Sequence, residues 1–147
     1  MPEKLNHIRN DNLKKFNKSV SFLTQAIEKD SNNPNLFISL GNEYLILKKY
    51  ELAFQSYLSA YKLNPKNSEI SVQIGVVHKK IGNFDDAASA FLNAIKVNKN
   101  HFKAYDEVSN IYFLLGRHKE ALEYSYKVNG VIQFRVGFGY SIDTGGI

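Results

Sequence analysis

Apolar residues recur along this chain at the three-and-four spacing of amphipathic helices, in blocks divided by short polar stretches. The best-kept block begins at Pro34, a residue that suits the first turn of a helix. From there the spacing predicts two helices joined by a tight turn. The helices predicted between Pro34 and the end of the pattern span about 35–47, 50–63, 69–81, 84–97, 102–115 and 118–129.

These blocks copy one another at a fixed step along the chain. Gly41 returns as Gly75 and then as Ser109, and Tyr57 returns as Phe91. Self-similarity at a constant step of this size is the sequence signature of a helical solenoid. Small residues at fixed positions predict close helix crossings, with aromatic rings filling the space that they leave; these small residues include Gly41, Ala53, Gly75 and Ala87.

The central block resembles the tetratricopeptide repeat, in which two antiparallel helices form one unit. The matching residues are Phe37, Leu40, Gly41, Tyr44, Ala53, Tyr57, Ala60 and Pro65. The resemblance implies an all-α, right-handed α-solenoid that acts as a protein-binding scaffold, and here we expect a short extended C-terminal tail as well. The predicted units are a degenerate repeat or cap over 1–33, repeats over 34–67, 68–101 and 102–130, and a tail over 131–147.

The resemblance also implies where a partner would bind. In this family the first helix of each unit lines a concave groove, and five positions of that helix face the partner. The groove residues implied for the three units are Asn35, Ile38, Asn42, Leu45, Glu69, Val72, Val76, Lys79, Lys103, Asp106, Asn110 and Phe113. We expect the amides of Asn42 and Asn110 to hold the backbone of a peptide, and Ile38, Val72 and Val76 to supply apolar pockets.

The first unit departs from the repeat pattern. Residues 1–12 are polar and fit either a poor capping helix or a frayed tail. Asp11 or Asn12 is then expected to cap a better helix, whose apolar stripe comprises Leu13, Phe16, Val20, Leu23 and Ile27.

The C-terminal residues after Asn129 depart from the repeat pattern more strongly. We expect the helical pattern to break at Asn129-Gly130, because apolar and polar residues alternate from Ile132 to Ile142 as in a half-buried strand. Three interpretations stay open: this segment covers the third repeat, pairs with a second chain as a homo-oligomer through 132–142, or is the remnant of a truncated or altered reading frame.

Composition narrows the function classes. The chain has no cysteine, which excludes disulfides and cysteine-based metal sites. It carries a formal charge of +5, but basic and acidic residues alternate without a basic stripe, so we expect no nucleic-acid partner. No secretory signal or membrane-length apolar run is evident, and we therefore expect no membrane association and a cytoplasmic location.

Candidate chemistry is sparse. The four histidines do not share a metal-binding helix face, and no phosphate-binding loop motif is present. We interpret His78 and His118 as packed, hydrogen-bonded histidines at aromatic positions of the repeat. No catalytic, cofactor-binding or metal-binding residue is predicted, and the chain is not expected to be an enzyme. Glu107 stands where the family's carboxylate clamp needs a basic residue, so we expect no clamp of that kind.

The function indicated by this reasoning is a scaffold that binds a peptide or helix of another protein in the groove of the array. Two alternatives remain. One is an N-terminal targeting array of a larger enzyme, of glycosyl- or sulfotransferase type, whose catalytic part is absent. The other is self-assembly through the C-terminal strand.

Overall fold

The computed structural model describes the backbone of residues 2–136 and the side chains of residues 4–129. That part of the chain contains helices and no strand. The helices are α1 (Pro2–Lys29), α2 (Pro34–Ile46), α3 (Tyr50–Leu63), α4 (Ser68–Ile81), α5 (Phe84–Val97), α6 (Phe102–Leu114) and α7 (His118–Val136). The predicted bounds of α2 to α6 are confirmed to within one residue.

Each helix packs against the next, and the closest pairs are α2 with α3, α4 with α5, and α6 with α7. The predicted all-α solenoid of antiparallel helix pairs is confirmed. Local sequence explains where the helices begin. The side chains of Asn33 and Asn67 accept hydrogen bonds from the backbone N–H groups two residues later, which satisfies donors that the first turn leaves unpaired.

The turn inside each helix pair uses a left-handed backbone at one residue. Gly82 and Gly116 adopt φ values of 93° and 77°, and Lys48 adopts 58° at the same place in the first pair. In all three turns the residue after the left-handed one donates its backbone N–H to the carbonyl five residues before itself, at 2.8–2.9 Å. Glycine adopts this conformation without steric conflict, whereas lysine does not, so the first turn is the strained member.

Small residues meet large rings where the sequence predicted close crossings. A Cβ atom built on Gly41 would lie 2.5 Å from Cε1 of Tyr57, and one on Gly75 would lie 2.7 Å from Cε1 of Phe91. Both rings are fully buried. The third pair has no such ring: Ser109 faces α7, and its hydroxyl donates to the carbonyl of Ala121 at 2.8 Å.

The first unit differs from the prediction, because α1 is one uninterrupted helix from Pro2 to Lys29. The expected cap at Asp11 or Asn12 is wrong. Aspartate and asparagine weaken a helix interior by only about 0.7 kcal/mol each relative to alanine, which does not interrupt a helix already extended on both sides. In the N-terminal part of α1, the side chains of Leu5 and Ile8 are largely exposed.

The predicted extended tail is wrong for residues 131–136, because α7 continues through Asn129-Gly130 to Val136. Lengthening an existing helix needs no new nucleus, so a glycine costing about 1 kcal/mol does not stop it. Strand pairing through residues 132–136 is therefore excluded in this conformation. The remainder of the predicted strand and tail, residues 137–147, lies outside the described residues.

Candidate functional site

The twelve groove residues implied by the sequence all lie on α2, α4 and α6, the first helices of the three units. We call the surface that they were expected to form the groove face. Six of them are exposed polar or charged residues: Asn35, Asn42, Glu69, Lys103, Asp106 and Asn110. Ile38, Leu45 and Val76 are half-buried and rest on the cores beneath.

Val72 is the exception, since its side chain is fully buried and packs with Phe91 of α5 and Val108 of α6. It belongs to the core between the second and third units. Its assignment to a binding pocket is therefore wrong, because α6 stacks directly over it.

Asn42 has a structural bond that the sequence analysis missed. The hydroxyl of Tyr57 donates to Asn42 Oδ1 at 2.6 Å, which leaves the amide nitrogen as the group directed to a partner. Burial raises the pKa of the Tyr57 hydroxyl well above its ordinary value, so it stays a donor. One signal was available in the sequence: the second unit carries Phe91 without a hydroxyl, and Val76 without an acceptor, at the matching positions.

Two polar pairs join α4 to the start and middle of α6. Lys79 Nζ lies 2.7 Å from Glu107 Oε2, and both side chains are mostly buried. His101 Nε2 lies 3.2 Å from Glu69 Oε2, while His101 Nδ1 accepts the backbone N–H of Ala104. Lys79 and Glu69 are thus engaged with the neighbouring unit, and Glu107 and His101 belong to this surface although the sequence analysis did not include them.

Large apolar side chains are exposed on the same helices. Phe113 is 63% exposed, and Leu114 and Ile46 are exposed to a similar degree. Isolated exposed apolar residues are common, but an exposed aromatic beside polar amides is typical of a protein-binding surface.

The histidines interpreted as core residues differ from each other. His78 packs against the Phe54 ring at a centroid distance of 5.1 Å, as predicted, but its buried Nδ1 has no hydrogen-bond partner among the described residues. His118 is exposed and places its ring against the Phe113 ring at 5.0 Å, so its assignment to the core is wrong. His118 is the first residue of α7, and its ring contacts Phe113 at the surface instead of entering the core.

Other chemistry is limited within the described part of the chain. The side chains of residues 4–129 include no group of three or more histidine, aspartate or glutamate residues placed to hold a metal ion. None of the helices described there combines the length and apolarity that crossing a bilayer requires.

Comparisons with known proteins agree with this geometry. The sequence profile described as tetratricopeptide repeat matches residues 34–67 and, in a second match, residues 72–128. No curated protein matches the sequence as a relative.

Several solved structures share the fold. "Crystal structure of MamA" superposes with a TM-score of 0.80 at 19% identity, covering 86% of this chain and 74% of that one. "MamA MSR-1 C2" gives 0.71 at 25% identity, covering 84% and 71%. "MamA AMB-1 P212121" gives 0.69 at 27% identity, covering 84% and 65%.

The repeated helix pairs, their glycine–ring crossings and the two profile matches point the same way, and they support a general role as a protein-interaction scaffold. This chain belongs to the tetratricopeptide repeat family.

Proposed function

We propose that the chain binds an extended peptide or a helix of another protein on the groove face of α2, α4 and α6, without catalysing a reaction. The observation that carries this proposal is the exposed Phe113 ring, which stands on α6 one turn from the exposed amide of Asn110. An aromatic anchor beside groups that hydrogen-bond a peptide backbone is the usual composition of a binding hot spot.

The rigidity of the array favours this role. Gly41 and Gly75 lock α2 and α4 against their partner helices, and the Lys79–Glu107 pair ties α4 to α6. A surface held in one conformation loses little freedom on binding, which leaves more of the contact energy as affinity.

The charges on this face argue against a partner that is recognised by its terminal carboxylate. Lys79 is already paired with Glu107, so this basic side chain of the face is not free to bind such a group. We therefore keep the prediction that a carboxylate clamp is not the mode of binding. A cytoplasmic location and the role as a targeting array of a larger enzyme stay predictions from the sequence.

The test is selection of a phage-displayed random peptide library on the immobilised full-length chain. An enriched peptide is synthesised, and amide chemical-shift changes on binding are mapped by NMR. We expect the changes on α2, α4 and α6. Failure to enrich any peptide, or changes confined to α3 and α5, would refute the proposal.

A matched pair of variants sharpens this test. Phe113→Ala is expected to weaken peptide affinity about tenfold, the usual effect of removing an aromatic anchor. Tyr126→Ala removes an equally exposed ring from α7, which is not one of the groove-face helices, and is expected to leave affinity unchanged. Circular dichroism of both variants should match the wild type, because neither ring is buried.

A further inference from the structure

The third unit has an open space where the first two units hold an aromatic ring. In the first unit the Tyr57 ring lies against Gly41, and in the second the Phe91 ring lies against Gly75. The third unit carries Ser125 in place of the ring. Between α6 and α7 a groove of about 390 Å³ is left open, which we call the end groove.

The end groove is lined by both polar and apolar side chains. Its lining includes Ser109, Asn110, Phe113, His118, Leu122 and Ser125. Phe113 and Leu122 are more than half exposed, so their apolar surface lacks cover from the described residues. The Ser109 hydroxyl is already bonded to the Ala121 carbonyl, so this residue presents a small and satisfied surface.

The first unit shows what such a space accepts. There the ring of Tyr57 is fully buried, and its hydroxyl donates to Asn42 Oδ1 at 2.6 Å. Asn110 occupies the position of Asn42 in the third unit, and it has no hydrogen-bond partner among the described side chains. The acceptor for a phenol is therefore kept, while the phenol itself is missing from α7.

The second unit shows that a ring without a hydroxyl is held without an asparagine at the matching position. Phe91 has no hydroxyl, and the residue at the acceptor position is Val76 rather than asparagine. Within this chain, asparagine accompanies a hydroxyl-bearing ring and valine accompanies a plain one. A ring bound over the Asn110 amide would cover it and, without a hydroxyl, leave its oxygen unpaired, so Asn110 selects a ring that carries a hydroxyl over one that does not.

We propose that the end groove binds the side chain of a tyrosine from a partner polypeptide, with the ring between Phe113 and Leu122 and the hydroxyl donating to Asn110. This inference rests on the proposed function in one respect only, which is that the tyrosine belongs to a polypeptide. It specifies the chemistry that the C-terminal end of the groove face recognises.

The test uses p-cresol, the side-chain analogue of tyrosine, and toluene, the analogue of phenylalanine, titrated into the full-length ¹⁵N-labelled chain. We expect p-cresol to shift amides of residues 109–125 and to bind about fivefold more tightly than toluene, the factor that one hydrogen bond contributes. Shifts spread over the whole surface, or equal affinities for the two probes, would overturn the assignment.

Variants copied from the other two units test the two contacts separately. Asn110→Val reproduces the second unit, and it should equalise the two affinities while toluene binding stays the same. Ser125→Tyr combined with Ser109→Gly reproduces the first unit, and it should abolish binding of both probes because the new ring fills the groove. Asn17→Val makes the same substitution at an exposed position of α1, away from the end groove, and it should change neither affinity.

The outcomes separate this inference from the proposed function. Peptides that bind α2 and α4 while p-cresol fails to bind would overturn the end groove alone. Binding of p-cresol without enrichment of any peptide would support the phenol site but overturn a polypeptide as its source. Binding that appears only after deletion of residues 137–147 would assign the groove to this chain's own terminal segment and overturn an external occupant.

Discussion

Substituting Gly75 with alanine tests the contact on which the stacking of the helix pairs depends. The added methyl carbon would lie 2.7, 2.8 and 2.9 Å from three carbons of the Phe91 ring. Carbon atoms in favourable contact are about 3.5–4.0 Å apart, so the ring must retreat by at least about 0.8 Å. It has no free space, because Phe91 is fully buried with Val108 and Ile111 of α6 beside it.

The change in the free energy of unfolding caused by Gly75→Ala follows from two opposing effects. Overpacking of a close-packed core destabilises by about 1–3 kcal/mol, whereas alanine favours a helix interior by about 1 kcal/mol over glycine. The net loss expected for Gly75→Ala is therefore about 1 kcal/mol. Urea unfolding followed by circular dichroism should show a lower midpoint with an unchanged slope, and the melting temperature should fall by about 3–5 °C.

The control places the same substitution beside a smaller side chain. In a Phe91→Leu background the ring carbons nearest to the new methyl group are gone, so Gly75→Ala should be neutral or stabilising. The double-mutant cycle should give a coupling of about 1–3 kcal/mol. Stabilisation of the wild type by Gly75→Ala, or the same effect in both backgrounds, would refute the packing argument.

Three further predictions concern single features of the fold. Lys48→Gly should raise the free energy of unfolding by about 0.5–1 kcal/mol in urea titrations, because it relieves a left-handed lysine; destabilisation would contradict this. Tyr57→Phe should destabilise by about 1 kcal/mol through loss of the bond to Asn42, and adding Asn42→Val should restore most of it, as calorimetry can check. Hydrogen bonding from Arg117 lowers the pKa of Glu120, so the stability difference between the wild type and Glu120→Gln should be present at neutral pH and vanish as the pH falls through the folded-state pKa of Glu120; a difference that persists in acid would contradict it.

The repeat units could be read from the sequence because their signals are local and redundant. Gly41 and Gly75 return at a fixed step with a ring sixteen residues after each, and every copy supports the same interpretation. A helix pair is mostly determined by residues within one unit, so nearest-neighbour patterns suffice to predict it.

The ends of the array were predicted less well. Period-two alternation after Gly130 favoured a strand, yet α7 extends to Val136 because elongation of a helix depends on the residues before it as well as on local pattern. The same reasoning applies to α1, where helix continues on both sides of Asp11 and Asn12 although these residue types favour a helix start.

The sequence by itself determined the unit length, the helices of the repeats, the glycine–ring crossings and the absence of cysteine chemistry. Only the tertiary structure decided which first-helix residues face outward: Val72 is buried by α6, Lys79 is held by Glu107, and Asn42 is held by Tyr57. The physical reason is distance along the chain. Spacing within a helix specifies which residues share a face, but which part of that face a neighbouring unit covers depends on packing between residues that are far apart in sequence.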